Sequence, residues 1–239
     1  MVSTMSETSA APTVTTRIRD AILQGGLAPG QRLVEAELTE RFGATRGGVR
    51  QALMQLEGEG LVERERNRGA RVRSLSLEEA IEITEARAVL EGLCAAKAAT
   101  RMDDAQREQL GSLGQRMTEA VEAGDVVGYS SLAQEIHATI RDHSQQTTVS
   151  DLLERLRYQS VRYHFSVALI PGRPRVGLEE HLRVIGAVVS GDPVAAEREM
   201  REHLLVVTEA LRTLGEQHGS QPLLTSGRRS PRLQDVNPS

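Results

Sequence analysis

The segment from Glu35 to Arg73 constrains the fold most, because helix, glycine and hairpin signals follow one another within it. The spacing predicts a short helix over residues 37–42, closed by Gly43, since glycine commonly follows a helix end. A second helix follows at once, with Thr45 as its N-cap and apolar residues at helical spacing up to the two glycines that end it. Two alternating segments then predict a β-hairpin over residues 61–73. This order of elements predicts a winged helix-turn-helix.

Basic and polar side chains lie on the outward side of the second helix and along the hairpin. Guanidinium groups near the start of such a helix can bind guanine edges or phosphates in the major groove, and a basic wing can follow the DNA backbone or enter the minor groove. A solvated basic surface is the alternative, and the agreement of helix order, turn and charge argues against it. The predicted contacts to double-stranded DNA are Thr45, Arg46, Arg50 and Gln51 in the helix, and Arg66, Arg68, Gly69 and Arg71 in the wing.

Three motifs in this region resemble those of the GntR-type transcriptional regulators. They are LAPGQRL at residues 27–33, FGATRGGVRQAL at residues 42–53 and LEGEGLV at residues 56–62. The sequence that follows is similar to the all-helical effector domain (FCD type) of the FadR branch, and the resemblance covers residues 13–215. The chain departs from the family where a Thr-Pro or similar pair usually begins the recognition helix. It has Gly47-Gly48 there, which costs about 1 kcal/mol of helix propensity per glycine.

After the hairpin, every segment has a helical pattern. Ser76 begins a capping-box pattern, which places a linker at residues 74–76. The helices are expected at about residues 77–99, 104–123, 125–143, 149–170, 176–190 and 193–214. The domains that we expect are a disordered N-terminus at 1–12, the winged helix at 13–73, an effector-binding and dimerisation domain at 77–216 and a flexible tail at 217–239. The predicted fold class is mainly α, a winged helix-turn-helix with a small β wing followed by an all-α helical bundle.

Composition excludes several classes of protein. Cys94 is the only cysteine, so no intrachain disulfide can form, and we expect it to be a small buried residue. No segment approaches the roughly 18 apolar residues of a membrane span, and the N-terminus lacks a signal-peptide core. We therefore expect a cytoplasmic protein without membrane contact. The net charge of −4 is unusual for a nucleic-acid-binding protein, but residues 13–73 carry eleven arginines against eight acidic residues.

Three histidines, His137, His181 and His203, lie on three different predicted helices. Spacing alone does not make them neighbours, and a lone helical histidine is more often a surface or core residue than a ligand. The resemblance implies a role, because many FadR-branch regulators bind a divalent metal with an aspartate and three histidines at matching positions. The aspartate is absent here, since Ala133 stands one turn before His137. Three imidazoles still suit Zn²⁺ or Ni²⁺ and leave a position for water or an anionic ligand, and a metal-free polar pocket is the alternative.

Arg87 matches an arginine that this family often directs into its effector pocket, where a guanidinium can bind a carboxylate with two hydrogen bonds. The alternative is an ordinary ion pair with Glu91, one turn later on a solvated face. Arg162 is a second candidate for effector binding. The other histidines, among them His164, match no ligand position, and we expect them to be structural or exposed.

The resemblance implies a homodimeric transcription regulator, more often a repressor, that binds a pseudo-palindromic operator and a small carboxylate effector. No catalytic residue is predicted, and we do not expect an enzyme. Two alternatives stay open. Three histidines with an open position also occur in hydrolytic zinc sites, although no general base is evident beside them. The other alternative is a constitutive DNA-binding regulator whose effector site has decayed, with Ala133 as the trace of that decay.

Overall fold

The structure is a computed structural model that describes residues 12–65 and 69–218. Its elements in chain order are α1 Val14–Leu23, β1 Arg32–Leu33, α2 Glu35–Phe42, α3 Arg46–Gly58, β2 Val62–Glu65, β3 Gly69–Val72, α4 Leu77–Arg101, α5 Asp104–Glu122, α6 Val126–His143, α7 Thr147–Ala168, α8 Arg173–Val189 and α9 Pro193–His218. The N-terminus that we expected to be disordered, apart from Pro12, and residues 219–239 of the expected tail lie outside the described residues.

The first six elements form the predicted winged helix-turn-helix. Gly43 ends α2 with a left-handed φ of 57°, and Thr45 caps α3 by accepting a hydrogen bond from the Gly48 backbone N–H at 3.1 Å. The hairpin is present, and β1 adds a third antiparallel strand in the order β1-β3-β2. The helix end differs from the expectation: α3 includes Gly58, and the left-handed glycine after it is Gly60, with φ of 74°.

This domain has an apolar core of its own. Ile18 and Ile22 of α1 pack with Val49, Leu53 and Leu56 of α3, and all five are at most 2 % exposed. Burying aliphatic side chains of this size stabilises the fold by roughly 1.5–3 kcal/mol each. The helical spacing that we found in the sequence therefore predicted the buried face of α3 correctly, and with it the opposite, exposed face.

The six helices after the wing form the predicted bundle, in which α4 packs most extensively against α9. Ser76 caps α4 by accepting from the Glu79 N–H at 3.1 Å. The Glu79 carboxylate, however, pairs with Arg73 rather than completing a capping box. Asp192 caps α9 as predicted, because its Oδ1 accepts hydrogen bonds from the backbone N–H groups of Val194 and Ala195, at 3.0 Å each. These caps set where the two central helices begin.

Aliphatic side chains fill the centre of the bundle, as the scarcity of aromatic residues predicted. Cys94 is 1 % exposed, and burial raises the pKa of its thiol, so it behaves as a small buried residue. No helix in the described part of the chain is long and apolar enough to cross a membrane.

Candidate metal centre and nucleic-acid interface

The helices α6, α8 and α9 each contribute one histidine to a single cluster inside the bundle. Nitrogens of His137, His181 and His203 lie within 4.8 Å of one another, and their ring centroids are 4.3 to 5.4 Å apart. His181 and His203 are buried, and the His137 side chain is 12 % exposed. The packing of three helices thus brings together residues whose sequence spacing alone did not predict contact.

Each imidazole is oriented through its Nδ1 atom. Nδ1 of His203 donates to the Glu180 carboxylate at 2.8 Å, and Nδ1 of His181 donates to the Gly177 backbone carbonyl at 2.6 Å. Nδ1 of His137 contacts the Glu91 carboxylate. Because all three partners are hydrogen-bond acceptors, the proton is on Nδ1 and the Nε2 lone pair is left free for a ligand.

The Nε2 atom of His181 is buried and has no hydrogen-bond partner. An unsatisfied buried nitrogen is costly, and a cation shared with the two neighbouring imidazoles would satisfy it. Among the described residues, no other histidine, cysteine or carboxylate joins the three histidines to complete the group. Three nitrogen donors with fixed tautomers fit Zn²⁺ or Ni²⁺, and one coordination position is left to an exogenous ligand.

The electrostatics of the cluster favour metal binding. Burial lowers the pKa of His181 well below its ordinary value, and the positive charges of His203 and His137, when protonated, lower it further. Burial also lowers the pKa of His203, although the Glu180 hydrogen bond opposes that shift. Both rings are therefore neutral near neutral pH, which is the protonation state that binds a metal.

The cluster lies on the wall of a cavity of about 90 Å³ between the helices. One water needs about 10–15 Å³ of such space, so the cavity has room for roughly six to nine non-hydrogen atoms. Ala133 lines it one helical turn before His137 and offers no ligand atom. Val167, Ala168, Leu204 and Val207 contribute the apolar part of the wall, and arginine, histidine and amide side chains contribute a polar part. This is the size and composition of a site for a small organic molecule.

Arg87 also lines this cavity and is 5 % exposed. It pairs with Glu91, at 2.8 Å from Nε to Oε1, so the alternative ion pair does form, but on a buried face rather than a solvated one. Burial raises the pKa of the Glu91 carboxyl, while Arg87 and His137 lower it by more, so this carboxyl is ionised. The backbone of Arg162 belongs to α7, and its side chain lies outside the described part of the structure.

Several residues of this site were not predicted from the sequence. His164, for which we expected a structural or exposed position, is a half-buried part of the cavity wall, and its Nδ1 lies 2.7 Å from Nη1 of Arg87. Burial and then Arg87 lower its pKa well below the ordinary value. The contacts that Glu91 and Glu180 make with the histidines were also missed. Glu91 was considered only as a partner of Arg87, and the signal of Glu180 was that it directly precedes His181 in the sequence.

The predicted DNA-reading residues at the N-cap and in the first turns of α3 are all exposed, namely Thr45, Arg46, Arg50 and Gln51. Arg50 lies 3.5 Å from Glu35 of α2, and because their side chains are 68 % and 40 % exposed, this contact is weak enough to be exchanged for one with DNA.

The wing carries the remaining predicted contacts. Arg71 of β3 pairs with Glu63 of β2 on the surface. Gly69 begins β3 with a left-handed φ of 86°, which glycine adopts without strain. Arg66 and Arg68 lie outside the described residues. The exposed start of α3 and the adjoining strands are thus arranged as in a groove-reading domain.

Comparisons with curated proteins agree with this architecture. The chain is 27 % identical over 203 residues to the HTH-type transcriptional repressor RspR of Escherichia coli (strain K12), which covers 84 % of this chain and 88 % of that protein. It is 26 % identical over 198 residues to a protein of Paenarthrobacter nicotinovorans described as a probable D-xylose utilization operon transcriptional repressor, covering 80 % and 86 %.

Solved structures share the fold. E. coli McbR/YncC superposes with a TM-score of 0.72 at 20 % identity, covering 85 % of this chain and 99 % of that one. A transcriptional regulator GntR from Rhodococcus sp. RHA1, described as putative, gives 0.65 at 20 % identity, covering 84 % and 96 %. Residues 10–72 match the bacterial regulatory proteins of the gntR family, and residues 82–205 match the FCD domain. The chain therefore belongs to the GntR family, with an FCD domain after its winged helix-turn-helix, and is a DNA-binding transcriptional regulator.

Proposed function

We propose that this regulator is a homodimeric repressor whose helical domain senses a small organic acid through a bound divalent metal. The observation that carries the proposal is the cluster of three histidines with their Nδ1 atoms engaged, set in the wall of a cavity of about 90 Å³. His137, His181 and His203 would hold the metal. When bound, the metal would supply a Lewis-acidic centre for one carboxylate of the effector.

The chain's own residues would do the rest. Glu91, Glu180 and the Gly177 carbonyl hold the three rings in the required tautomer. The small side chain of Ala133 leaves room at the wall for an anion instead of a protein carboxylate. The apolar part of the cavity wall lowers the local dielectric, which strengthens the pairing of opposite charges beside it.

A dimer supports operator binding because two recognition helices can then enter successive major grooves of a pseudo-palindromic site. Two relatives, RspR and the protein of Paenarthrobacter nicotinovorans, are described as repressors, which supports repression here. Effector binding must favour one arrangement of the two DNA-binding domains over another, since a ligand that binds both arrangements equally shifts no equilibrium. A cytoplasmic location is supported because a DNA-binding regulator must share a compartment with the DNA that it binds.

Neither carboxylate of the site is free to act as a general base, which argues against a metal hydrolase. Glu91 holds Arg87 and His137, and Glu180 holds Arg173 at 2.8 and 3.0 Å as well as His203. A carboxylate engaged by a guanidinium has a lowered pKa and is a weak base.

Thermal melts of chelator-stripped protein with Zn²⁺, Ni²⁺ or Mn²⁺, each with and without lactate or succinate, test the sensing function. A ligand at about 100 times its dissociation constant stabilises by about 2.7 kcal/mol, which such melts detect. His137→Ala should abolish the metal shift, whereas the matched control His143→Ala should keep it, because His143 lies on the same helix and bonds only its own helix at Thr139. A wild-type melt that no metal moves would reject the metal site.

Operator binding needs its own experiment. Selection from a pool of random duplexes should return a two-fold symmetric sequence, and sedimentation should find two chains per duplex. Arg46→Ala and Arg50→Ala should each weaken binding to that sequence by about 1–3 kcal/mol. Operator affinity that no acid and no metal changes would instead support the constitutive regulator.

A further inference from the structure

Three arginines line the cavity, and they differ in how their charge is balanced. Arg87 and Arg173 are each buried in an ion pair with a glutamate. Arg157 of α7 forms no ion pair among the described residues. Its Nη1 donates to the neutral side chain of Gln134 at 3.4 Å, across the gap between α7 and α6. Arg157 is therefore the lining arginine whose positive charge is left for a ligand.

The guanidinium of Arg157 also lies over the aromatic ring of the next residue of α7. Its Cζ is 4.7 Å from the ring centroid of Tyr158. The same ring packs against the core of the winged helix-turn-helix, and Cζ of Arg19 lies 5.4 Å from its centroid. Tyr158 thus contacts one arginine of the cavity and one arginine of the DNA-binding domain.

Arg19 continues this chain of contacts to the recognition helix. Its Nε and Nη2 donate to the two carboxylate oxygens of Glu59, at 2.8 and 2.6 Å, and both side chains are about 15 % exposed. Glu59 is the C-cap residue of α3. Two planar hydrogen bonds fix this pair in orientation as well as in distance.

Gln159 makes a second connection at the same point. Its Nε2 donates to the backbone carbonyl of Glu59 at 3.4 Å, and its Oε1 accepts from Arg73 at 3.3 Å. A Cβ at Gly60 would lie 2.2 Å from the Nε2 of Gln159, so α7 is closely seated on the turn that ends α3. A displacement of α7 would therefore change the contacts of this turn.

We propose that Arg157 binds a carboxylate of the effector at the mouth of the cavity, and that this contact is transmitted to the recognition helix through Tyr158, Arg19 and Glu59. A charge-assisted bond to a carboxylate is stronger than the amide and ring contacts that Arg157 makes here, so an acid draws its guanidinium away from the ring of Tyr158. The ring then loses one of the two cations that hold it, and its packing on Arg19 changes. This proposal rests on the acid-sensing function above.

The first test measures acid binding by calorimetry on the Zn²⁺-loaded protein, with lactate and succinate as probes. Both have a size that the cavity admits. Arg157→Gln should weaken binding of the acid by about 10-fold or more, because it removes a hydrogen-bonded charge. The control Arg155→Gln removes the same charge from an exposed position on the same helix and should bind acid as the wild type does. Zn²⁺ alone should bind Arg157→Gln at least as tightly as the wild type, because the substitution removes a positive charge near the metal.

The second test measures transmission, as the ratio of operator dissociation constants with and without the better acid. Tyr158→Leu should bind the acid as the wild type does, but its ratio should fall towards 1. Tyr158→Phe keeps the ring and should keep the ratio, while acid binding retained by Tyr158→Leu shows that the leucine variant is folded. If Tyr158→Leu keeps the wild-type ratio of operator dissociation constants, the signal does not pass through Tyr158. If Arg157→Gln binds acid as the wild type does, Arg157 does not bind the effector. If neither acid binds the wild type, the acid-sensing function fails, and the Arg157 proposal fails with it.

Discussion

Replacing Glu91 with glutamine should destabilise the helical domain by about 3–5 kcal/mol. Glu91 is 6 % exposed, and its carboxylate accepts hydrogen bonds from Arg87, which is 5 % exposed, and contacts His137. Glutamine has nearly the same shape, but it leaves the charge of Arg87 buried without an opposing charge. Removing one partner of a buried pair typically costs about 3–5 kcal/mol. Since 1 kcal/mol shifts the melting temperature of a domain of this size by about 2–4 °C, we expect a fall of roughly 10 °C.

Glu85→Gln is the matched control, because Glu85 lies on the same helix and pairs with Arg212 at 2.8 Å, with both side chains 47 % exposed. An exposed pair of this kind contributes only about 0.2–1 kcal/mol, so the control should melt within a few degrees of the wild type. Calorimetric melts of the metal-free proteins at neutral pH make the comparison. Equal, small losses in the two variants would refute the reasoning, because they would show that Arg87 is not desolvated.

The pH dependence of this effect follows from the lowered pKa of Glu91. A carboxyl whose pKa is lower in the folded state stabilises the protein above its unfolded pKa, near 4.5, and this contribution is lost as the pH falls below that value. The difference between Glu91→Gln and the wild type should therefore be full at neutral pH and should shrink below about pH 4.5.

Three further predictions concern single residues. Ala133→Asp should tighten binding of divalent metal, because a carboxylate would stand one turn before His137 on the cavity wall, and titration of the chelator-stripped protein with Zn²⁺ measures this. Gly47→Ala should stabilise the winged helix-turn-helix by about 0.5–1 kcal/mol in urea unfolding, since a Cβ there meets no atom within 4 Å. Gly48→Ala should stabilise it less, because a Cβ at Gly48 would lie 3.2 Å from Oγ1 of Thr45. His164, which is half-buried and has a pKa well below 6.5, should make stability fall by up to about 1.4 kcal/mol per pH unit as the pH drops below 6.5, because the unfolded chain takes up the proton first. His164→Gln should remove that part of the slope.

Most of the fold could be predicted because its signals are local. The N-cap at Thr45, the left-handed glycine at position 43 and the spacing of Val49, Leu53 and Leu56 each act within one or two turns of chain. Such signals set the start of a helix and its buried face independently of the rest of the molecule. The end of α3 was less certain, because Gly58 can adopt helical angles as easily as Gly60 adopts left-handed ones.

The site depends on packing, and its prediction was correspondingly incomplete. The three histidines are 44 and 22 residues apart along the chain, so their contact depends on how α6, α8 and α9 pack. The resemblance to a known family, rather than any pattern in the residues, singled them out. His164 and Arg157 were missed for the same reason, since only the position of α7 against the bundle turns them towards the cavity. The pair of Arg87 and Glu91 was visible as an i,i+4 spacing, but its burial was not.

The balance of charge at the cavity gives the proposed sensor an order of binding. Glu91 and Glu180 neutralise Arg87 and Arg173, and the buried His181 and His203 are neutral, so Arg157 is the surplus charge of this group. A divalent cation would add two further positive charges in a poorly solvated space, and an anion would then bind far more tightly than before. Because linkage is reciprocal, the acid must raise the affinity for metal by the same factor by which metal raises the affinity for acid. Ala133→Asp separates the two effects: its carboxylate should tighten metal binding and, by taking the anion's place and lowering the charge, should weaken acid binding. A variant that binds both ligands more tightly would show that the acid does not occupy the position that Ala133 leaves open.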